Sequence, residues 1–164
     1  DGFVAHVALY RRIEVLDLRP TIVKVENISF KTADIMKMDN KLLNYCDSLS
    51  CLHAIEHFGL GRYNDPIKFD GYLDGLDSMH KILKRGGKFF LSVPIGIQRV
   101  EFNAHRVFSV RYLLRLFKDK YTIDYFSFVD DKGDLHKNID MKRGDIDKNF
   151  DCHYGCAIFE MTKL

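Results

Sequence analysis

The stretch that most constrains the fold of this 164-residue sequence is residues 88–93, Lys-Phe-Phe-Leu-Ser-Val, a nearly unbroken apolar run that Pro94 closes. Such a run suits a strand buried on both faces, as the inner strands of a parallel sheet are. Just before it, residues 71–83 carry Leu73, Leu76, Met79, His80 and Leu83 at helical spacing, with Gly86-Gly87 as the stop signal. A helix feeding a doubly buried strand is half of a βαβ unit, so the rest of the chain should be layered the same way.

The flanking patterns agree. Residues 3–12 place Phe3, Val4, Val7, Ala8 and Tyr10 around a helical face, and residues 13–18 read as a strand that Arg19-Pro20 ends. Residues 28–33 alternate as a second strand closing at Asp34, residues 40–45 form a short helix, and residues 47–53 a third strand. Beyond Pro94 a loop reaches His105, and a helix over residues 109–117 follows, with Ser109 as N-cap and Tyr112, Leu113, Leu116 and Phe117 inside. Tyr121–Val129 and residues 154–162 are aromatic-rich strands with no helix between them, which predicts an antiparallel pair at the sheet edge. Their connector, residues 130–151, has 12 charged residues in 22 and reads as a solvated loop. The expected fold class is α/β, a Rossmann-like, doubly wound, mostly parallel sheet with an antiparallel C-terminal pair, in a single domain over residues 1–164.

Composition excludes several functions. With 46% hydrophobic and 29% charged residues the chain is not broadly disordered. Its apolar runs fall far short of the roughly 20 residues a membrane-spanning helix needs, and it opens without a signal-peptide pattern. A net charge of +2 implies no nucleic-acid partner. Cys46 and Cys51, and Cys152 and Cys156, lack the C-x-x-C spacing of a structural zinc site, so free thiols in a reducing cytoplasm are expected.

In a doubly wound sheet ligands bind beyond the carboxyl ends of the strands. Asp17, followed by Leu18, stands at the first such end, where a carboxylate can accept from both hydroxyls of a ribose. A solvated or capping acid would look the same. Asp34-Ile35 repeats the arrangement, an acceptor for an exocyclic amine beside an apolar side chain able to cover a purine face. The third strand ends in Leu52-His53-Ala54-Ile55-Glu56-His57, where His57 can act as a base near neutral pH, since imidazole titrates at about 6.5. A His and a Glu in these positions serve equally well to bind the next loop.

Two runs carry a family resemblance. Cys46-Asp-Ser-Leu-Ser-Cys-Leu-His-Ala-Ile-Glu-His57 and Met79-His-Lys-Ile-Leu-Lys-Arg-Gly-Gly-Lys-Phe-Phe-Leu-Ser-Val-Pro94 resemble the fourth- and fifth-strand region of class I S-adenosylmethionine-dependent methyltransferases, with Arg85 where the family has Pro. Within that superfamily, the run from Glu56 to Pro66 and the run from Phe102 to Ser109 resemble a family of unknown function. The resemblance implies S-adenosylmethionine as cofactor, with Asp17 and Leu18 at the ribose, Asp34 and Ile35 at the adenine, and Leu52 and His53 along the cofactor. It places Glu56, His57 and His105 in catalytic positions and Arg62 and Arg106 toward the substrate. Those two guanidiniums can bind a phosphate or carboxylate, or pair with Asp65 and Asp70.

One departure is large: the family's central first strand and its Gly-rich turn have no counterpart in the sequence, which starts at Asp1 where the following helix should begin. The expectation is a record truncated at its N-terminus, with weak or no cofactor binding by these 164 residues. The expected activity is methyl transfer to an oxygen or nitrogen of a small-molecule or glycan-like acceptor. Two alternatives stand beside it: a non-catalytic binding module of the same fold, and a zinc peptidase reading His53-Ala-Ile-Glu-His57 as H-x-x-E-H, in which both His would have to share one helix face.

Overall fold

A computed structural model describes residues 2–22, 24–63, 65–141 and 144–164. After a short helix, α1 (Gly2–Ala8), strands β1 (Ile13–Asp17) and β2 (Ile28–Thr32) pair in parallel, from Ile13 opposite Ile28 to Asp17 opposite Thr32. A single 3-10 turn, Asn40–Leu42, replaces the expected short helix and leads to β3 (Cys46–Leu52). Another 3-10 turn, Ile55–His57, precedes α2 (Gly71–Ile82). The chain then runs straight into β4 (Leu83–Ile95), followed by a hairpin of β5 (Arg99–Glu101) and β6 (His105–Val107) inside the segment read from sequence as loop. Helix α3 (Val110–Phe117), β7 (Tyr121–Val129), β8 (Leu135–His136), a 3-10 segment (Gly144–Asp151) and β9 (Gly155–Lys163) complete the fold.

Strands β3, β4, β9, β7 and β8 form one mixed sheet in that order, with β3 parallel to β4 and the other neighbours antiparallel. Strands β1 and β2 form a sheet of their own, and among the described residues no ladder joins β1 to β3. The α/β class and the mixed, Rossmann-like arrangement are therefore as expected. Four local expectations are corrected.

The helix α2 stops at Ile82, with the Leu83 amide donating to the Met79 carbonyl, four residues before the glycine pair. Gly86-Gly87 instead lies within β4, where residues 83–88 face only residues 46–48 of β3 and Gly86 takes a φ of +74°. Glycine admits that left-handed kink without a Cβ penalty, so the pair serves a bulge and not a helix cap. Pro94 does not end the strand either; it pairs with Cys156 of β9. The N and O of one residue leave a strand on the same side, and the Pro94 carbonyl accepts from Phe108 at 3.0 Å, so the missing N–H points away from β9, past the end of β3.

The terminal pair is not at the sheet edge. Strand β9 is inserted between β4 and β7, and β8 lies outside β7. The charged connector is also more than solvated loop: it supplies β8, buries Ile146, and places Asn149 Oδ1 2.8 Å from the Val110 amide at the start of α3. Lys142 and Arg143 of that connector lie outside the described residues. The Ser109 cap is as expected, its hydroxyl accepting from the Tyr112 amide at 3.3 Å.

The core fills the space between this sheet and its helices. Leu91, Val93, Ile95, Phe108, Leu113, Phe117, Phe126 and Phe159 are all buried. Phe159 is at its centre, with ring centroids 5.2 Å from Phe117 and 4.9 Å from Phe126. No helix among the described residues is long and apolar enough to cross a membrane.

Candidate functional site

The carboxyl ends of β1, β2 and β3 open onto one cavity of about 250 Å³. Asp17, Leu18 and Arg19 line it from β1, Asp34, Ile35 and Met36 from β2, and His53, Ala54 and His57 from β3, with Phe58, Tyr63 and Asp65 closing the far side. Parallel pairing puts both strand ends at one level, which is why two acids 17 residues apart in sequence meet at one mouth.

Neither acid is bare. Asp17 holds Arg19 in a fork, Nε to Oδ1 at 3.1 Å and the terminal nitrogen to Oδ2 at 3.0 Å, and its Oδ1 also accepts the Arg19 amide at 2.9 Å. Those bonds keep the Asp17 carboxyl below the usual carboxylate range. The guanidinium of Arg19 also lies 5.6 Å from the Tyr63 ring centre, spanning from β1 to the far wall. Asp34 Oδ1 accepts the Met36 amide at 2.9 Å, a turn that holds Ile35 against the cavity.

The loop after β3 is held by buried groups. Arg106, although read from sequence as a substrate fork, is only 2% exposed; it donates to the Phe58 carbonyl at 2.6 Å, Phe69 at 2.9 Å and Glu56 at 3.4 Å, and lies over the Tyr72 ring. Three of its donors go to main-chain carbonyls, so in this structure it clasps the loop and does not line the cavity, where the sequence reading had turned it toward a substrate. Asp65 does similar work: its carboxylate accepts from Gly59 N at 2.7 Å and Tyr63 N at 3.1 Å. Burial alone would raise the Asp65 carboxyl, but those amides outweigh it and hold it low. Gly59 has a φ of +76°, and a Cβ there would meet the Lys68 carbonyl oxygen at 2.0 Å. Of the two alternatives for Arg62, its pairing with Asp65 and Asp70 is not seen; Arg62 is exposed beside the Tyr63 ring, and Asp70 faces Lys68. Asn64 lies outside the described residues.

His57 has a defined tautomer. Its Nδ1 is 2.6 Å from the Ala104 carbonyl, which can only accept, so Nδ1 carries the proton and Nε2 the lone pair. That Nε2 is 3.9 Å from Glu56 Oε1. Glu56 is 2% exposed, with Oε2 unpartnered. His105 lies beside His57, ring centroids 6.4 Å apart, and its Nε2 is 3.5 Å from Glu101. His105, Glu56 and Leu52 do not line the cavity. His53 does, but both its nitrogens have partners: Nε2 is 3.2 Å from Cys156 Sγ and Nδ1 3.3 Å from Glu56 Oε1. These bonds, to Cys156 first and Glu56 second, raise the ring to about 10.

The zinc-peptidase alternative fails on backbone geometry. His53 sits in the left-handed region at φ 49° just after a strand, and His57 is in a separate 3-10 turn, so no helix face carries both. Among the described residues no group of His, Cys, Asp and Glu is arranged to hold a metal. The sequence reading missed Arg19, Tyr63 and Cys156. Arg19 was legible as a cation two residues from Asp17; Cys156 is 103 residues from His53, and no local pattern joins them.

A nucleoside fits the donor set of this cavity: two acids at adjacent strand ends, one apolar flank at Ile35, and an exposed Arg19 that must swing off Asp17 to free its oxygens. A family model described as "Caenorhabditis protein of unknown function, DUF268" matches residues 13–155. No match is found among the curated proteins. Among solved structures, 1,6-didemethyltoxoflavin-N1-methyltransferase of Burkholderia thailandensis, with bound 1,6-didemethyltoxoflavin and S-adenosylhomocysteine, is similar at a TM-score of 0.58 and 15% identity, over 93% of this chain and 61% of that one. The N-methyltransferase NodS of Bradyrhizobium japonicum, with S-adenosylhomocysteine, gives 0.58 at 12% identity, over 93% and 66%. The cyclase SpnF gives 0.61 at 12% identity, over 97% and 70%. The chain thus spans 61% to 70% of the length of these structures. The likeness is one of fold, and it covers methyltransferases and a cyclase alike.

Proposed function

Given that the chain belongs to the DUF268 family, whose description assigns no activity, we propose from its own site that it is an S-adenosylmethionine-dependent methyltransferase acting on an oxygen or nitrogen of a small-molecule or glycan-like acceptor. The observation that carries this reading is the placement of Asp17 and Asp34 at the ends of adjacent parallel strands, lining one cavity with Ile35. Asp17 would accept from the ribose hydroxyls and Asp34 from the adenine amine, with Ile35 and Leu18 against the rings. His53 and Ala54 would lie along the donor. A bound sulfonium donor supplies an already activated methyl group, so the chain's own task is to align the acceptor and remove a proton.

His57 suits that second task. Its Nε2 lone pair faces away from the Ala104 bond, and the positive charge it gains on taking a proton is stabilised by Glu56. His105, next to it, and Arg62 at the rim would meet the acceptor. A cytoplasmic setting goes with this reading, since the four cysteines are free thiols.

Calorimetry with S-adenosylhomocysteine on the natural gene product tests it. Binding that weakens about tenfold, ~1.4 kcal/mol, in Asp17→Asn is the expected result; no binding at millimolar ligand overturns the reading. Once an acceptor is found, unchanged turnover in His57→Ala would remove that residue from the reaction. A second reading, a binding module without catalysis, is favoured by the one observation that Arg19 occupies Asp17.

A further inference from the structure

At the start of β9, three groups from separate parts of the chain meet in the order nucleophile, base and orienting acid. Cys156 Sγ is 3.2 Å from His53 Nε2, and His53 Nδ1 is 3.3 Å from Glu56 Oε1. Glu56 is buried, its Oε2 has no hydrogen-bond partner, and its Oε1 is bonded to the His53 ring. Cys156 is half-buried, and its sulfur also lies 3.6 Å from the Ala157 carbonyl.

We propose that Cys156, with His53 as its proton partner and Glu56 as the positioning residue, is a reactive thiol centre that takes low-molecular-weight disulfides. The arrangement is that of an activated nucleophile: a sulfur within hydrogen-bond reach of an imidazole whose other nitrogen is fixed by a carboxylate. A ring that donates from Nδ1 to Glu56 and from Nε2 toward sulfur leaves the sulfur as acceptor, the thiolate form that attacks. In the step itself the Cys156 sulfur bonds one sulfur of the reagent as the reagent's S–S bond breaks. The departing thiolate takes the proton held by His53, so one disulfide and one thiol become one mixed disulfide and one thiol, with no other oxidant.

The other three cysteines have no such partner and are internal controls. Burial pushes the Cys51 thiol up to about 12 and Cys152 to about 11, and it raises Cys46 as well, although Cys46 is as accessible as Cys156. The titratable groups around the pair are His57 from the 3-10 turn, His105, Glu101 and Arg99 from the β5–β6 hairpin, and Tyr154 with Asp131, whose carboxylate accepts the Tyr154 amide. Tyr154, two residues before Cys156, is half exposed, and Cys156 itself is not fully buried.

The experiment is timed reaction of the folded protein with glutathione disulfide, quenched with acid and mapped by mass spectrometry. Cys156 should be modified at least about tenfold faster than Cys46, and its rate should fall less than about tenfold between pH 8 and pH 6, where an unassisted thiol loses about tenfold per unit. His53→Gln should bring Cys156 down to the Cys46 rate, and Glu56→Gln should steepen the pH profile. Should either variant fail to fold, the pH profile of the unaltered protein still decides. A Cys156 rate equal to or below that of Cys46, or a profile parallel to it, overturns the proposal. The outcome is independent of whether the cavity binds a nucleoside.

Discussion

The five-stranded sheet and the β1–β2 sheet are built to different standards. In the five-stranded sheet, β4 and β9 bury Val93, Ile95, Ala157, Phe159 and Met161 completely, and β9 has a strand on either side. In the two-stranded sheet no residue of β1 or β2 is fully buried, and α1 contributes only Ala8 to any interior. Yet each sheet supplies half of the candidate site: the weaker gives Asp17 and Asp34, the stronger gives His53, His57 and Cys156. A site divided in this way has His53, His57 and Cys156 on a well-packed frame and Asp17 and Asp34 on one that opens locally at lower cost.

Perturbing each half breaks or sharpens this contrast. The largest effect is expected for Phe159→Ala, which leaves a cavity between Phe117 and Phe126 and should cost about 3–5 kcal/mol in urea unfolding. A loss below about 1 kcal/mol would mean that the five-stranded half is loosely packed after all. Arg106→Met should cost about 1–3 kcal/mol, because it leaves the part-buried carbonyls of Phe58 and Phe69 without their donor in the loop that joins the halves.

A pH titration comes next. Bonds to Cys156 and Glu56 raise the His53 ring from 6.5 to about 10, so the folded state binds its proton more tightly than the unfolded one. The stabilisation is fully present below about pH 6.5 and is lost as pH rises through about 10. The ring signals of His53 in NMR should move with a midpoint near 10; a midpoint near 6.5 would dissolve the cluster.

Smaller effects belong to the other half. Val15→Ala in β1 removes a half-buried side chain and should cost about 1 kcal/mol or less. Amide exchange of Val15 and Phe30 should run about a hundredfold faster than that of Phe159 and Met161, and equal protection would join the two sheets into one cooperative unit. Arg19→Ala should leave the unfolding midpoint unchanged, since its bond to Asp17 is largely exposed.

The legibility of the sequence followed the same division between regular and irregular features. Strands β1, β2, β3 and β7 and helix α3 came within a residue or two of their expected bounds because side chains repeat along them with period 2 or 3.6. The bulge at Gly86-Gly87 and the passage of the strand through Pro94 did not, since each depends on which neighbour faces that backbone. At the site, Asp17, Asp34, His53 and His57 were legible as residues at strand ends. The fate of Arg106 was not: the same guanidinium suits a substrate or a carbonyl cluster, and only burial chose between them.

By itself the sequence determined the α/β class, the order of most elements and the strand ends where ligands gather, because these follow from periodicity and from residues that stop a strand. Tertiary structure decided that β9 lies between β4 and β7, that Arg106 clasps the Phe58 and Phe69 carbonyls, and that Cys156 meets His53 across 103 residues. Those are matters of which surfaces meet once the chain has closed on itself. Local patterns carry no record of them, since the partners are brought together by packing and not by spacing along the chain.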